Sequence, residues 1–217
     1  MKISDALKAC VDERHLLKHP FYLAWTEGKL PKETLAEYAR QYFHHVARFP
    51  RYLSAIHSRC PEMKARKVLL ENLVDEELHG TDHPELWLQF AEGIGADRAS
   101  VMATTLWPET QNLLQTFSRL TEGAWTSGLG ALFAYESQVP SVAASKVEGL
   151  ERHYGVTDER SLAFFRVHQQ YDVAHTAAVG ALVDAHATSE EAGAACQEAA
   201  DALWTFLDGA CRHMATA

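Results

Sequence analysis

Three short stretches of this sequence bring together residue types and spacings able to hold metal ions. The sharpest is RVHQQYDVAHTAAVG, in which His168, Asp172 and His175 stand at i, i+4 and i+7. On an α-helix those positions share a narrow arc, so two imidazoles and a carboxylate point the same way. A carboxylate buried between histidines is costly unless a positive charge offsets it. A divalent cation does that, and two histidines with one carboxylate are a recurrent ligand set for non-haem iron. The same letters also fit an exposed ladder of ordinary ion pairs.

The second stretch, LENLVDEELHGTDHPELW, crowds Glu71, Asp75, Glu76, Glu77 and Glu85 beside His79 and His83. Glu76 and His79 have the i, i+3 spacing of di-iron carboxylate bundles. Glu76 and His83 can meet one metal if Gly80 loosens the helix between them. For most of these acids a solvated helix face accounts for the composition. In the third stretch, LFAYESQVPSVAASK, Glu136 is the sole acid between Glu122 and Glu148. Among Leu132, Phe133, Ala134, Val139 and Val142 it is either buried for a reason or turned outward with Ser137 and Gln138. Together the stretches offer three carboxylates and three histidines on three helices. Two divalent ions against three carboxylates make a nearly neutral site. Mixed nitrogen and oxygen ligation suits iron or manganese, with positions left open for O2.

The elements that must position these groups read as helices throughout. Ile3, Leu7, Val11 and Leu16 mark a helix over 3–17, with Ser4 and Asp5 available as caps. Pro20 suits a helix start, and Gly28 with Pro31 a stop and restart. Residues 31–60 predict one long helix kinked at Pro50. Pro61 opens the next, which breaks near Gly80, and Pro84 starts another that ends at Gly93 and Gly95. Two or three helices fill 100–154, broken by Pro108, Gly123, Gly128, Gly130 and Pro140. Asp158 or Ser161 caps a helix to about 186, and Ser189 one to about 213. Strand-like alternation is missing, so the fold class is all-α and a bundle is the default.

The 217 residues suit one domain spanning 1–217. A net charge of −9 argues against nucleic acid or an anionic membrane as the main partner. No apolar run reaches the roughly 20 residues that span a bilayer. The start, MKISDALKACVDERHLL, has no apolar region of a secretory signal. Cys10, Cys60, Cys196 and Cys211 are scattered without a CxxC pair, which predicts reduced thiols in a cytoplasmic protein.

The chain resembles the haem-oxygenase-like superfamily and, within it, the dinuclear oxidases of the family named after the chlamydial protein associating with death domains. The segments that carry the likeness are HPFYLAW-x-x-G-x-LP, QYFHHVARFPRYLSAIHSRCPE, LLENLVDEE, HPELWLQFAEG, AYESQVP-x-x-x-ASK-x-EGL-x-x-x-YG and H-x-x-x-D-x-x-H. They span nearly the whole length. The resemblance implies a seven- or eight-helix haem-oxygenase-like bundle and an O2-dependent oxidase that makes 4-aminobenzoate for folate biosynthesis. It implies two divalent ions, Fe/Fe or Fe/Mn, on Glu76, His83, Glu136, His168, Asp172 and His175, and so decides for His83 over His79. It further implies that the protein consumes its own side chains, with Tyr22 supplying the ring and Lys146 the amine. The carbon count of 4-aminobenzoate equals a tyrosine ring plus its Cβ. On residue type alone Tyr22 reads as a core aromatic beside Phe21 and Trp25, and Lys146 as a surface lysine pairing with Glu148 or Glu151. Tyr38, Tyr42, Tyr135 and Tyr171 are expected to include further rings facing the metals. An external reductant is implied but not its identity, and a homodimer is open to such a chain.

Four rival activities fit the same composition. A small-molecule oxidase would share the metals. A thiamin-degrading hydrolase needs a cysteine nucleophile in the pocket, and residues 124–146 contain none. Haem oxygenation would use His15 or His19 and leave six ligands idle. A helical interaction protein would hold no metal.

Overall fold

Prolines set five of the helix starts. The computed structural model describes residues 2–214, apart from the side chains of Gln170, Tyr171 and Met214. Its helices are α1 (Ile3–Glu13), α2 (Pro20–Thr26), α3 (Lys32–Val46), α4 (Phe49–Arg59), α5 (Met63–Glu77), α6 (His83–Gly93), α7 (Arg98–Met102), α8 (Pro108–Glu122), α9 (Trp125–Glu136), α10 (Val139–Gly149), α11 (Glu159–His186) and α12 (Ser189–Met214). No strand occurs among the described residues. Pro20, Pro50, Pro84, Pro108 and Pro140 each occupy the first or second position of a helix, where a missing N–H leaves no bond unmade. Pro50 therefore does more than kink the helix over 31–60; it divides that stretch into α3 and α4. Two-residue turns separate α3 from α4 and α9 from α10, so the helical segments outnumber the seven or eight expected.

Other local readings shift by a residue or two. The first helix ends at Glu13, and Leu16–Lys18 is a separate 3-10 turn whose cap, His15, accepts the Leu17 N–H. Ser4 lies inside α1 and donates its hydroxyl to Asp184 at 2.8 Å. Asp158 caps α11 as expected, but α12 is capped by Thr188, not Ser189, through a 3.2 Å bond to the Glu191 N–H.

α9 runs through the core, packed against α12, α11, α8 and α4. Every residue from Gly128 to Glu136 is buried, the pattern of a helix that is apolar all round. Gly128 and Gly130, read from the sequence as breaks, lie within it. A Cβ on Gly130 would stand 2.5 Å from the Ala192 carbonyl oxygen of α12, so this glycine permits close backbone approach. Among the described residues no helix is long and apolar enough to cross a membrane.

Candidate metal centre

Four helices converge on the residues singled out above. α5 contributes Asn72, Asp75 and Glu76, α6 opens with His83, α9 closes with Glu136, and α11 carries His168, Asp172 and His175. The link between α5 and α6 turns at Gly80, whose φ of +82° is readily taken only by glycine. That break brings His83 Nδ1 to 2.7 Å from Glu76 Oε2. Ligand atoms of Glu76, His83 and His168 all lie within 4.8 Å of one another. His79, the i, i+3 alternative, is 63% exposed and meets Asp75 at 2.5 Å outside this group.

Glu136, Asp172 and His175 form an adjoining group. Asn72 Nδ2 donates to Glu136 Oε1 at 2.6 Å. His175 Nδ1 stands 3.6 Å from Asp172 Oδ1, and its Nε2 stands 2.8 Å from Asp75 Oδ2. His168 Nδ1 donates to the Phe164 carbonyl at 2.6 Å, which leaves Nε2 with its lone pair toward the cluster, the tautomer a metal-binding imidazole needs.

Charge and burial here conflict unless a cation is present. Glu76, His83, Glu136, His168 and Asp172 are all buried. Burial, reinforced by the neighbouring Asp172, pushes the Glu136 carboxyl up to about 8. Burial alone would lower His175, but Asp172, Glu136 and Asp75 together raise it to about 9. Among the described residues Glu136 Oε2, Asp172 Oδ2 and Asn72 Oδ1 are buried without a hydrogen-bond partner. Each such orphan costs about 1–3 kcal/mol. Lone pairs that converge without donors are a donor set that divalent cations satisfy.

Beside this cluster lies an aromatic chamber. Lys146 on α10 is only 4% exposed, so it is no surface lysine. Its Nζ donates to Tyr38 Oη at 2.8 Å, and Tyr38 Oη is 3.1 Å from Tyr22 Oη. The rings of Tyr22, Tyr38, Tyr42, Trp25, Trp87 and Phe165 surround the amine at 5.0–5.9 Å. Burial drops the Lys146 amine from 10.5 to about 7. It also holds the phenols of Tyr22, Tyr38, Tyr42 and Tyr135 above their ordinary value, and so protonated. The free space, lined in part by Tyr22, Tyr42, Tyr135, Lys146 and Phe164, is about 20 Å³. Phe164 connects chamber and cluster, its ring 4.1 Å from that of His168. The side chain of Tyr171 lies outside the described residues.

Two polar residues join the site beyond those the sequence marks out. Asp75, one of the acids that a solvated face accounts for, accepts from His175, and Asn72 holds Glu136. The i, i+4 spacing of Asn72 to Glu76 was the available signal, and for Asp75 there was none. The rivals find little support in the fold. His15 and His19 serve as helix caps, and His19 also meets Asp208 at 3.1 Å. No cysteine lines the chamber among the described residues.

Comparisons with known proteins identify the family. A family model described as "Iron-containing redox enzyme" matches residues 36–208. The 4-aminobenzoate synthase of Nitrosomonas europaea is 45% identical, with 92% of this chain and 87% of that protein covered. The 4-aminobenzoate synthase of Chlamydia muridarum is 38% identical, with 96% and 89% covered. A Shewanella denitrificans domain with a haem-oxygenase-like fold superposes with a TM-score of 0.81 at 18% identity, covering 96% of this chain and 90% of that one; it speaks for the fold alone. With most of its length matched on both counts, the chain belongs to the iron-containing redox enzyme family, in the group that includes the proteins named 4-aminobenzoate synthase.

Proposed function

We propose that this chain forms 4-aminobenzoate in an O2-dependent reaction, drawing the ring from Tyr22 and the amine from Lys146. The ligands would be Glu76, His83 and His168 for one divalent ion and Glu136, Asp172 and His175 for the other, as a di-iron or iron–manganese pair. The bound pair supplies activation of O2 and needs an external reductant. Asp75 and Asn72 orient His175 and Glu136 from behind, as outer partners of metal ligands do.

The observation that carries the reading is the chain Lys146 Nζ, Tyr38 Oη, Tyr22 Oη inside a closed chamber. An amine lowered to about 7 keeps a large neutral fraction at neutral pH, and only the neutral amine has a lone pair to attack carbon. Tyr38 holds that amine beside the ring whose oxygen it would replace. Trp87 and Phe165 keep water away from it. Free space of about 20 Å³ admits one small molecule such as O2 or water, whereas benzene needs a cavity of order 150 Å³. Within this chamber an aromatic substrate from solution has no room, and an aromatic ring of the protein is already there. Reaction at Tyr22 would break its Cα–Cβ bond and leave Lys146 oxidised at the ε-carbon, so each polypeptide would act once.

The test is protein grown with ring-13C tyrosine, incubated with iron and manganese, O2 and reductant but no added substrate. Labelled 4-aminobenzoate, never exceeding the protein present, is expected, with peptide masses showing the loss at Tyr22. Tyr22→Phe should yield none. If Tyr22→Phe still yields product while Tyr38→Phe does not, the ring comes from Tyr38. Repeated turnover on an added substrate with both tyrosines and Lys146 intact would refute self-consumption.

A further inference from the structure

On the face formed by α4 and α8, away from the metal cluster, lies a polar groove of about 580 Å³. That is the size of a small-molecule site. Its lining includes Arg48, Arg51 and Arg59 from the first of these helices and its leading turn, and Ser118 and Glu122 from the second. The chain as a whole carries −9, so three arginines with one acid reverse the prevailing sign. Arg119, Arg160, Arg166 and Arg212 each meet a carboxylate. Among the described residues Arg48, Arg51 and Arg59 form no ion pair, and Arg59 reaches only the Ala55 carbonyl of its own helix. A second feature points into the same groove. Tyr52 lines it and is 3% exposed, and its hydroxyl, beside Ser118 and Arg48, makes no hydrogen bond of good geometry to either, so an acceptor placed in the groove can take its proton.

We propose that this groove binds the diphosphate group of a small molecule. Guanidinium forks match phosphate oxygens in pairs, the Tyr52 and Ser118 hydroxyls supply neutral donors, and no aromatic face is exposed in the lining to stack a base. The recognised part is therefore the phosphates. This site is independent of the proposed reaction and would stand if that reaction were wrong.

The test is calorimetric titration of the full chain with inorganic pyrophosphate, with ADP and adenosine as further arms. Pyrophosphate and ADP should bind with a Kd of about 1 mM or tighter, more weakly as salt rises, and adenosine should not bind. Arg51→Ala and Arg59→Ala, both on exposed positions, should each weaken binding about tenfold. Tyr52→Phe should weaken it about fivefold, with unfolding curves confirming that the variant remains folded. Arg119→Ala, outside the groove, should leave binding unchanged. Absence of pyrophosphate binding, or equal weakening by Arg119→Ala and Arg51→Ala, would overturn the proposal, and so would adenosine binding as well as ADP.

Discussion

Lys146→Met should make the protein more stable, and the gain should shrink as pH rises. Burial lowers the folded-state Lys146 from 10.5 to about 7. The unfolded chain therefore binds a proton that the native state gives up, and native stability rises with pH across that interval. Linkage with those two values puts the penalty at about 4 kcal/mol at pH 7 and about 2 kcal/mol at pH 9. Methionine fills similar space but loses the bond to Tyr38, about 1 kcal/mol. The variant should thus exceed the parent by about 3 kcal/mol at pH 7 and about 1 kcal/mol at pH 9. Urea unfolding of both proteins at the two pH values, with a chelator present, measures the gap. Other groups that titrate over this interval are common to both proteins and cancel. Six ring faces around the amine act in the opposite sense, since they favour the ammonium. A gap that stays constant between pH 7 and 9 would mean that the rings keep Lys146 charged, and the argument for a neutral nucleophile would fall with it.

Glu136→Ala or His168→Ala should each remove about one equivalent of metal and abolish product, read by elemental analysis and chromatography; His79→Ala should do neither. If His79→Ala loses as much metal as His83→Ala, the i, i+3 pairing is the correct one. Asp75→Asn should weaken metal binding about 10- to 100-fold through His175, measured by competition with a chromogenic chelator. Gly130→Ala forces a methyl group against the Ala192 carbonyl and should cost about 1–3 kcal/mol in urea unfolding; an unchanged midpoint would show that α9 and α12 can separate freely.

The candidate ligands were legible in the sequence because helical spacing is rigid. His168, Asp172 and His175 had to share a face wherever α11 lay. Glu76 and His83 were legible only jointly with Gly80, since the glycine decides whether the chain straightens or folds back between them. Glu136 stood out as one charge in an apolar helix. The roles of Lys146 and Tyr22 could not be read this way, because burial of a lysine depends on which helices cover it, and α10 is covered by residues distant in sequence. Nor could periodicity show that Gly128 and Gly130 mark contact rather than interruption, for both uses exploit the missing side chain. Caps shifted by one residue, from Ser189 to Thr188, because neighbouring hydroxyls compete for the same N–H groups.

The ring at Tyr22 also has a structural place. It is 3% exposed and packs against Phe21 and Trp25 in the middle of the core. On the proposed chemistry, product formation removes that ring from the protein that made it. The vacancy resembles an aromatic-to-small substitution in a packed interior, which costs about 3–5 kcal/mol, a large share of the 5–15 kcal/mol that holds a typical domain together. A spent chain would therefore be a loosened one, more open to proteases than its unreacted copies. Synthesis of the product would then be metered by translation, and the used polypeptide would carry its own mark for disposal.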